Sequence, residues 1–163
     1  MAAIDIGWGN TNLGSATGAG YTRIDETNPA NDTGKITTIS CYFGQTGGTF
    51  KAGTFSVNSA TSYTWRDGAD IGAVTAGSTQ TFTGLDIDVV LGDVLGHYFA
   101  SGQSSQAGTG GGGVLWKPGN YFGNTSAQTY TDAYSAGRHS CYGTGETPTA
   151  LPVFDYYYNN MRP

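Results

Sequence analysis

Apolar and polar residues alternate with a period of two in several short stretches of this chain, and no long stretch carries the stripe of an amphipathic helix. The clearest case is Leu85-Asp86-Ile87-Asp88-Val89, which reads as a half-buried strand with its two acids in water. Residues 35–43 repeat the pattern, with Ile39, Cys41 and Phe43 on one face and Thr38, Ser40 and Tyr42 on the other. Residues 94–99 place Leu95 and Phe99 together and Tyr98 opposite them. In residues 50–57 the parity changes: Phe50 and Ala52 share one face, Phe55 and Val57 the other. Gly53 at the break predicts a β-bulge.

Further short strands are expected at residues 21–25, 62–66, 71–74, 79–83, 114–117, 127–134 and 138–142. Breaker-rich segments separate them: a turn region at 28–34, a hairpin-like loop at 44–49, turns at Asp67-Gly68, 76–78 and Gly92-Asp93, a glycine loop at 108–113, and a stop at Pro118-Gly119. Strands spaced about ten residues apart predict a sandwich or a barrel, and the expectation is an antiparallel β-sandwich. The sandwich is expected to fill residues 1–145. Residues 146–163, broken by Pro148, Pro152 and Pro163, read as an extended C-terminal arm.

Composition supports the all-β reading. There are 27 glycines among 163 residues, Leu and Lys are scarce, and Thr, Ser, Asn and Tyr replace them, which favours turns and pleated surfaces over helices. Aromatics at 13% argue against a disordered chain. Only 12% of residues are charged, against about a quarter in an average domain. The net charge is −5 and the basic residues are scattered, so phosphate neutralisation by a basic patch, and with it nucleic-acid binding, is not expected. No apolar run approaches the ~20 residues of a membrane span, so no membrane insertion is expected. Met1 to Asp5 carries no signal-peptide pattern.

Several segments together resemble an uncharacterised β-sandwich domain that recurs in predicted phage and environmental bacterial proteins. They are Tyr21-Thr22-Arg23-Ile24-Asp25 with Asn28-Pro29-Ala30, the run from Val74 to Phe82, Gly84 to Val89 with Gly92 to Tyr98, and Tyr142-Gly143-Thr144-Gly145. The resemblance covers roughly residues 4–145 and leaves out the arm. The Gly92-Asp93 pair ahead of an apolar strand also resembles jelly-roll modules. What the resemblance implies is a jelly-roll-like sandwich; it brings no catalytic residues with it.

Candidate chemistry is sparse. His97 and His139 match no nucleophile–base signature, and no serine elbow or Cys-His motif is present. Asp86 and Asp88 are explained as a solvated strand face, and Asp67, Asp70 and Asp93 as turn residues, so neither a glycosidase pair nor a calcium loop is indicated. No catalytic residue, metal ligand or cofactor is assigned. Cys41 and Cys141 both fall on inward strand positions. They read as two buried thiols or as one bridge between an early strand and the last one. Asn31-Asp32-Thr33 and Asn124-Thr125-Ser126 match the glycosylation pattern, which matters only in a source that glycosylates.

Aromatics are the remaining feature. Trp8, Trp65 and Trp116 are candidates either for core packing or for stacking on sugar rings. In the arm, Val153, Phe154, Tyr156, Tyr157 and Tyr158 form a segment too apolar to be left in water, and they are the candidate partner-binding residues. The expectation is therefore a non-enzymatic structural or assembly protein, such as a phage virion component or surface-fibre subunit. Its partners would be copies of itself or other structural proteins, in a virion or extracellular assembly. The alternative is a carbohydrate-binding or adhesion module that uses exposed aromatics on surface glycans.

Overall fold

The computed structural model describes residues 3–148. Among the described residues, fourteen strands, numbered in chain order, form two sheets of seven, and every pairing between these strands is antiparallel. Sheet one contains β1 (Ala3–Trp8), β2 (Ser15–Ala16), β4 (Gly34–Gln45), β7 (Ser78–Val89), β9 (Gln103–Ala107), β13 (Arg138–His139) and β14 (Cys141–Glu146). Sheet two contains β3 (Tyr21–Asp25), β5 (Gly47–Ser59), β6 (Ser62–Val74), β8 (Val94–Phe99), β10 (Val114–Pro118), β11 (Gln128–Thr129) and β12 (Thr131–Tyr134). The main ladder of sheet one runs β1-β14-β4-β7, with β9 taking over the C-terminal end of β4. That of sheet two runs β6-β5-β8-β3-β10-β12, with β11 beside β6. Taking β1, β14, β4 and β7 of sheet one with β6, β5, β8 and β3 of sheet two, the first and last of these eight in chain order (β1 and β14) are neighbours in one sheet, and the second and seventh (β3 and β8) in the other. This strand order is that of a jelly roll.

The inner faces of the two sheets meet over a core built from the alternating positions. Ile4, Ile6, Ile36, Ile39 and Phe43 of sheet one pack against Phe50, Ala52, Leu95 and Phe99 of sheet two, all buried. Phe50 stacks on Phe99 with ring centroids 4.7 Å apart and meets Phe43 edge-on at 5.1 Å. Each such side chain removed from water stabilises by about 1.5–3 kcal/mol, before the entropy of ordering it.

The parity change in β5 has a different cause from the expected bulge at Gly53. The β5–β8 ladder stays in register from Phe50 opposite Phe99 to Phe55 opposite Val94. Phe50, Ala52 and Thr54 face the inner core, while Phe55 points outward into a second buried cluster with Ile24, Tyr63, Val94, Leu115 and Tyr130. Sheet two is thus covered on both faces, the outer one by Phe122 and the segment around it. A row of glycines makes room: Gly68, Gly53 and Gly96 lie side by side across β6, β5 and β8. A Cβ on Gly53 would meet Phe122 at 3.1 Å, and one on Gly96 would sit 2.4 Å from the Phe55 ring. Val57, of the outward parity but beyond this cover, is 48% exposed. The irregularity lies instead in β6, where Arg66 is the extra residue between the Thr54–Asp67 and Phe55–Trp65 pairs.

Three other expectations are corrected. The segment 44–49 is not a hairpin: only Thr46 separates β4 from β5, and the two strands lie in opposite sheets, so the chain crosses between layers there. Gly47 permits the close passage, since a Cβ would stand 2.2 Å from the Ser101 carbonyl oxygen. Asp67-Gly68 is not a turn but the middle of β6, which joins the two strands expected at 62–66 and 71–74. Likewise β7 joins 79–83 to 85–89, bulging at residues 84–86 opposite β4. β14 ends at Glu146, which stands opposite both Ala3 and Lys35.

Candidate functional site

The inner face of sheet two changes character from one edge to the other. Residues directly opposite each other in an antiparallel ladder share a face, and one such row reads Ala69, Ala52, His97, Arg23, Trp116, Thr131 across β6, β5, β8, β3, β10 and β12. The apolar half of that row lies in the aromatic core. The polar half lies toward the edge, where β9 and β13 of sheet one face it. There the interior holds His97, His139, Arg23, Ser104, Ser105, Gln106 and Ser140, all buried. The His97 and His139 rings are 4.5 Å apart, and His97 Nε2 lies 3.4 Å from Ser104 Oγ. Both ring nitrogens of His139 are without a partner.

This polar interior opens into a cavity of about 400 Å³, walled by Tyr21, Trp116 and Tyr134 and carrying Arg23, Gln106 and Asp132. Strand periodicity explains the assembly. In β3, Tyr21, Arg23 and Asp25 point inward, while Thr22 and Ile24 point to the outer cover: Thr22 Oγ1 donates to the Gly119 carbonyl, and Ile24 joins the outer cluster. Trp116 stands opposite Arg23 and meets the Tyr21 ring edge-on at 4.7 Å. From sheet one, Gln106 donates through Nε2 to the Ala16 carbonyl at 3.3 Å, and its Oε1 is buried without a partner. Arg23 is 8% exposed and, among the described residues, makes no ion pair and leaves its Nε buried and unpartnered; its guanidinium lies 5.6 Å from the Tyr21 ring centroid. Asp132 and Tyr134, on the edge strand β12, form an exposed rim.

Electrostatics follow from burial. Desolvation pushes the Arg23 guanidinium below its ordinary value, opposed by the neighbouring Tyr134 and Tyr21. Desolvation, then the charge of Arg23, pushes His97 down to about 3. His139 is held well below its ordinary value by burial, His97 and Arg23. Both imidazoles are therefore neutral at pH 7. Burial raises Asp25 to about 6, although it accepts backbone N–H bonds from His139 at 2.6 Å and Thr27 at 2.9 Å.

Of the three tryptophans singled out in the sequence, the structure brings Trp116 to this cavity. Trp65 packs against the outer cluster of sheet two, and Trp8 lies under Arg138, whose guanidinium is 3.9 Å from the ring centroid. Cys41 and Cys141 stand opposite each other in β4 and β14 and form a disulfide. The aspartates considered for metal or hydrolytic chemistry are engaged otherwise. Lys35 bridges Asp86 and Asp88 at 2.8 Å each, Lys51 pairs with Asp70 at 2.9 Å, and Arg66 forks onto the buried Asp93. Asp67, no longer a turn residue, accepts the backbone N–H groups of Gly68 and Asp88 at 2.8 Å each. The proposed partner-binding residues Val153, Phe154, Tyr156, Tyr157 and Tyr158 lie outside the described residues.

Sequence reasoning missed Tyr21, Arg23, Gln106, Asp132 and Tyr134. The one available signal was the Tyr21-Thr22-Arg23-Ile24-Asp25 alternation, which groups a tyrosine, an arginine and an acid on one strand face. Comparison of the chain with known protein families, with curated proteins and with solved structures finds no match.

Proposed function

We propose that this chain is a non-enzymatic recognition module, a jelly-roll unit of a surface assembly such as a virion or fibre, that binds a carbohydrate between Tyr21, Trp116 and Tyr134. The observation that carries the reading is a concave, aromatic-walled cavity lined also by Arg23 and Gln106, each of which keeps one polar atom, Nε and Oε1, without a partner among the described residues. A sugar ring offers an apolar C–H face to an aromatic wall and hydroxyls to such groups, and small-molecule sites combine an apolar wall with a few placed polar atoms in this way. Jelly rolls serve both as lectin domains and as capsid proteins, an analogy of fold only. Among the described residues, the cavity lining contains neither histidine nor cysteine, which favours binding over catalysis. The disulfide favours an oxidising setting outside the cytoplasm. The test is a glycan array followed by calorimetry. Wild-type protein is expected to bind saturably, and Trp116→Ala to weaken binding at least about tenfold, or ~1.4 kcal/mol, while keeping its fold. An array without hits, or equal binding by the variant, would overturn the reading.

A second reading, assembly through the arm, is favoured by the apolar run Val153 to Tyr158 in a chain with so few charges. Extended apolar segments add to sheet edges or fill grooves of neighbouring subunits. Burying Phe154 and one tyrosine would contribute a few kcal/mol at about 25 cal/mol per Å², less the cost of ordering. Because β14 is paired through Glu146, the informative truncation ends at Pro148. Light scattering is expected to find the full chain associated and residues 1–148 folded but monomeric, with Phe154→Ala/Tyr157→Ala in between. A full chain that stays monomeric at every concentration rules this reading out.

A further inference from the structure

We infer that the ligand of the Tyr21–Trp116–Tyr134 cavity is an acidic sugar, its carboxylate held by Arg23; this rests on the carbohydrate reading above and narrows it. Among the described residues Arg23 is the only cation lining the cavity, and it is more than nine-tenths buried. Buried guanidinium groups are ordinarily paired, because an isolated charge taken out of water is costly. Arg66 is paired with Asp93, and Arg138, although its Nε is also buried without a partner, donates to the Gly110 carbonyl and lies on the Trp8 ring. Arg23 has the Tyr21 ring, 5.6 Å from its guanidinium, and the neighbouring Tyr134, but no ion pair among the described residues.

The groups that face Arg23 from the neighbouring strands sharpen the point. His97, opposite it in β8, and His139, from β13, are neutral, so neither adds a competing positive charge nor supplies a counter-ion. Asp25, two residues along β3, spends its oxygens on the backbone N–H groups of Thr27 and His139. Asp132 lines the same cavity but makes no ion pair with Arg23 and sits on the exposed rim. The positive charge is therefore at the floor and the negative charge at the mouth. A ligand that carries a carboxylate at one end of a hydroxyl-bearing ring matches this order. The carboxylate meets Arg23 in the bidentate geometry a guanidinium favours. The ring lies against Trp116 and Tyr21, and Asp132 accepts from a hydroxyl at the rim. A neutral sugar would leave Arg23 buried and unpaired in the complex, and this difference generates the selectivity.

The experiment uses matched probes that differ only in the acid: trigalacturonate against its methyl ester, and sialyllactose against its methyl ester, titrated calorimetrically into wild-type protein and Arg23→Gln. At least one acidic probe is expected to bind tenfold or more tighter than its neutral partner, with that preference lost in Arg23→Gln, and an equal concentration of acetate should not displace it. Equal binding of acidic and neutral probes overturns the acidic-ligand inference and leaves the carbohydrate reading standing; displacement by acetate removes the sugar from the inference. Failure of all four probes, with array hits confined to neutral glycans, also overturns it, whereas an array with no hits removes the carbohydrate reading itself. A ligand-free measurement stands beside these. If Arg23 is kept for a ligand and not for the fold, Arg23→Met should melt several degrees above wild type, because it removes an uncompensated buried charge. A variant that melts lower assigns Arg23 to the structure and overturns the inference.

Discussion

Acidification from pH 6.5 toward pH 3 is expected to destabilise the protein steeply, through the histidine pair in the polar half of the core. His97 and His139 are buried to within 1% and packed ring against ring. In the unfolded chain both titrate near the ordinary value of about 6.5. In the fold, burial holds His97 down at about 3 and His139 well below its usual range, with Arg23 reinforcing both shifts. Between those limits the unfolded state binds more protons than the native state, so stability rises with pH there, is complete above 6.5, and is lost as the pH falls. For His97 alone the interval corresponds to roughly 5 kcal/mol, at about 1.4 kcal/mol per pH unit. Asp25 acts in the opposite sense. Its folded value of about 6 lies above the ordinary carboxylate value, so its contribution is present at low pH and lost as the pH rises toward 6. One raised carboxyl offsets only part of two depressed imidazoles, and above pH 6 the histidines act alone. Urea midpoints measured from pH 8 to pH 3 should fall below pH 6.5, and His97→Asn should flatten that limb. Proton NMR should find neither imidazole titrating between pH 5 and pH 8 while the protein is folded. A flat wild-type profile, or a histidine that titrates normally in the native state, would contradict the argument.

What the sequence disclosed, and what it hid, follows from how many faces of each strand are covered. Strands with one face in water keep their period-two signature. The alternation of β7 over residues 85–89 was legible for that reason, and the bounds of β3 were marked by the glycine before it and the turn after it. Sheet two is buried on both faces around β5, so Phe50 and Phe55 both read as apolar and the parity rule misplaced an irregularity at Gly53. The cover that causes this, around Phe122, lies almost seventy residues further along the chain from Phe55, beyond the reach of a local pattern. The layer crossing at Thr46 was read as a hairpin because glycine-rich turns mark chain reversals and crossings alike. The cavity was harder still. Its residues come from β3, β9, β10 and β12, and only register brings Arg23 opposite Trp116 and Gln106 beneath them. Trp116 was nominated with Trp8 and Trp65 as an aromatic able to pack in the core or stack on a sugar ring. Arg23 was passed over because an arginine on a strand is ordinarily a solvent-facing residue. Cys41 and Cys141 were correctly placed on inward faces, but their adjacency depends on the jelly-roll closure that sets the last strand beside β4.

That closure makes the Cys41–Cys141 bridge the covalent tie with the largest expected effect on stability. It joins β4 to β14 across a sequence separation of 100 residues and so encloses most of the sandwich, including all the long strands of sheet two. In the chain-entropy account, closing a loop of that length in the unfolded state contributes about 4.7 kcal/mol, and removing native disulfides typically costs 2–5 kcal/mol. Both sulfurs are buried, at 0% and 1% exposure of their residues, in contact with the apolar cluster of Ile4, Ile36 and Ile39. Their replacement by alanine should therefore be tolerated chemically, with a modest loss of packing added to the loss of the cross-link. The double variant Cys41→Ala/Cys141→Ala is expected to fold and to melt on the order of ten degrees lower, at about 2–4 °C per kcal/mol for a domain of this size. Wild-type protein denatured in a strong reductant and refolded under it should behave like the double variant. The same reductant applied to the native protein should act slowly, since the bond is reached only when β14 separates from β4. Alkylation under denaturing, non-reducing conditions provides the independent check: no free thiol should be modified. Two modified cysteines, or oxidised and reduced forms that melt together, would dissolve this account and, with it, the support the bridge lends to a life outside the reducing cytoplasm.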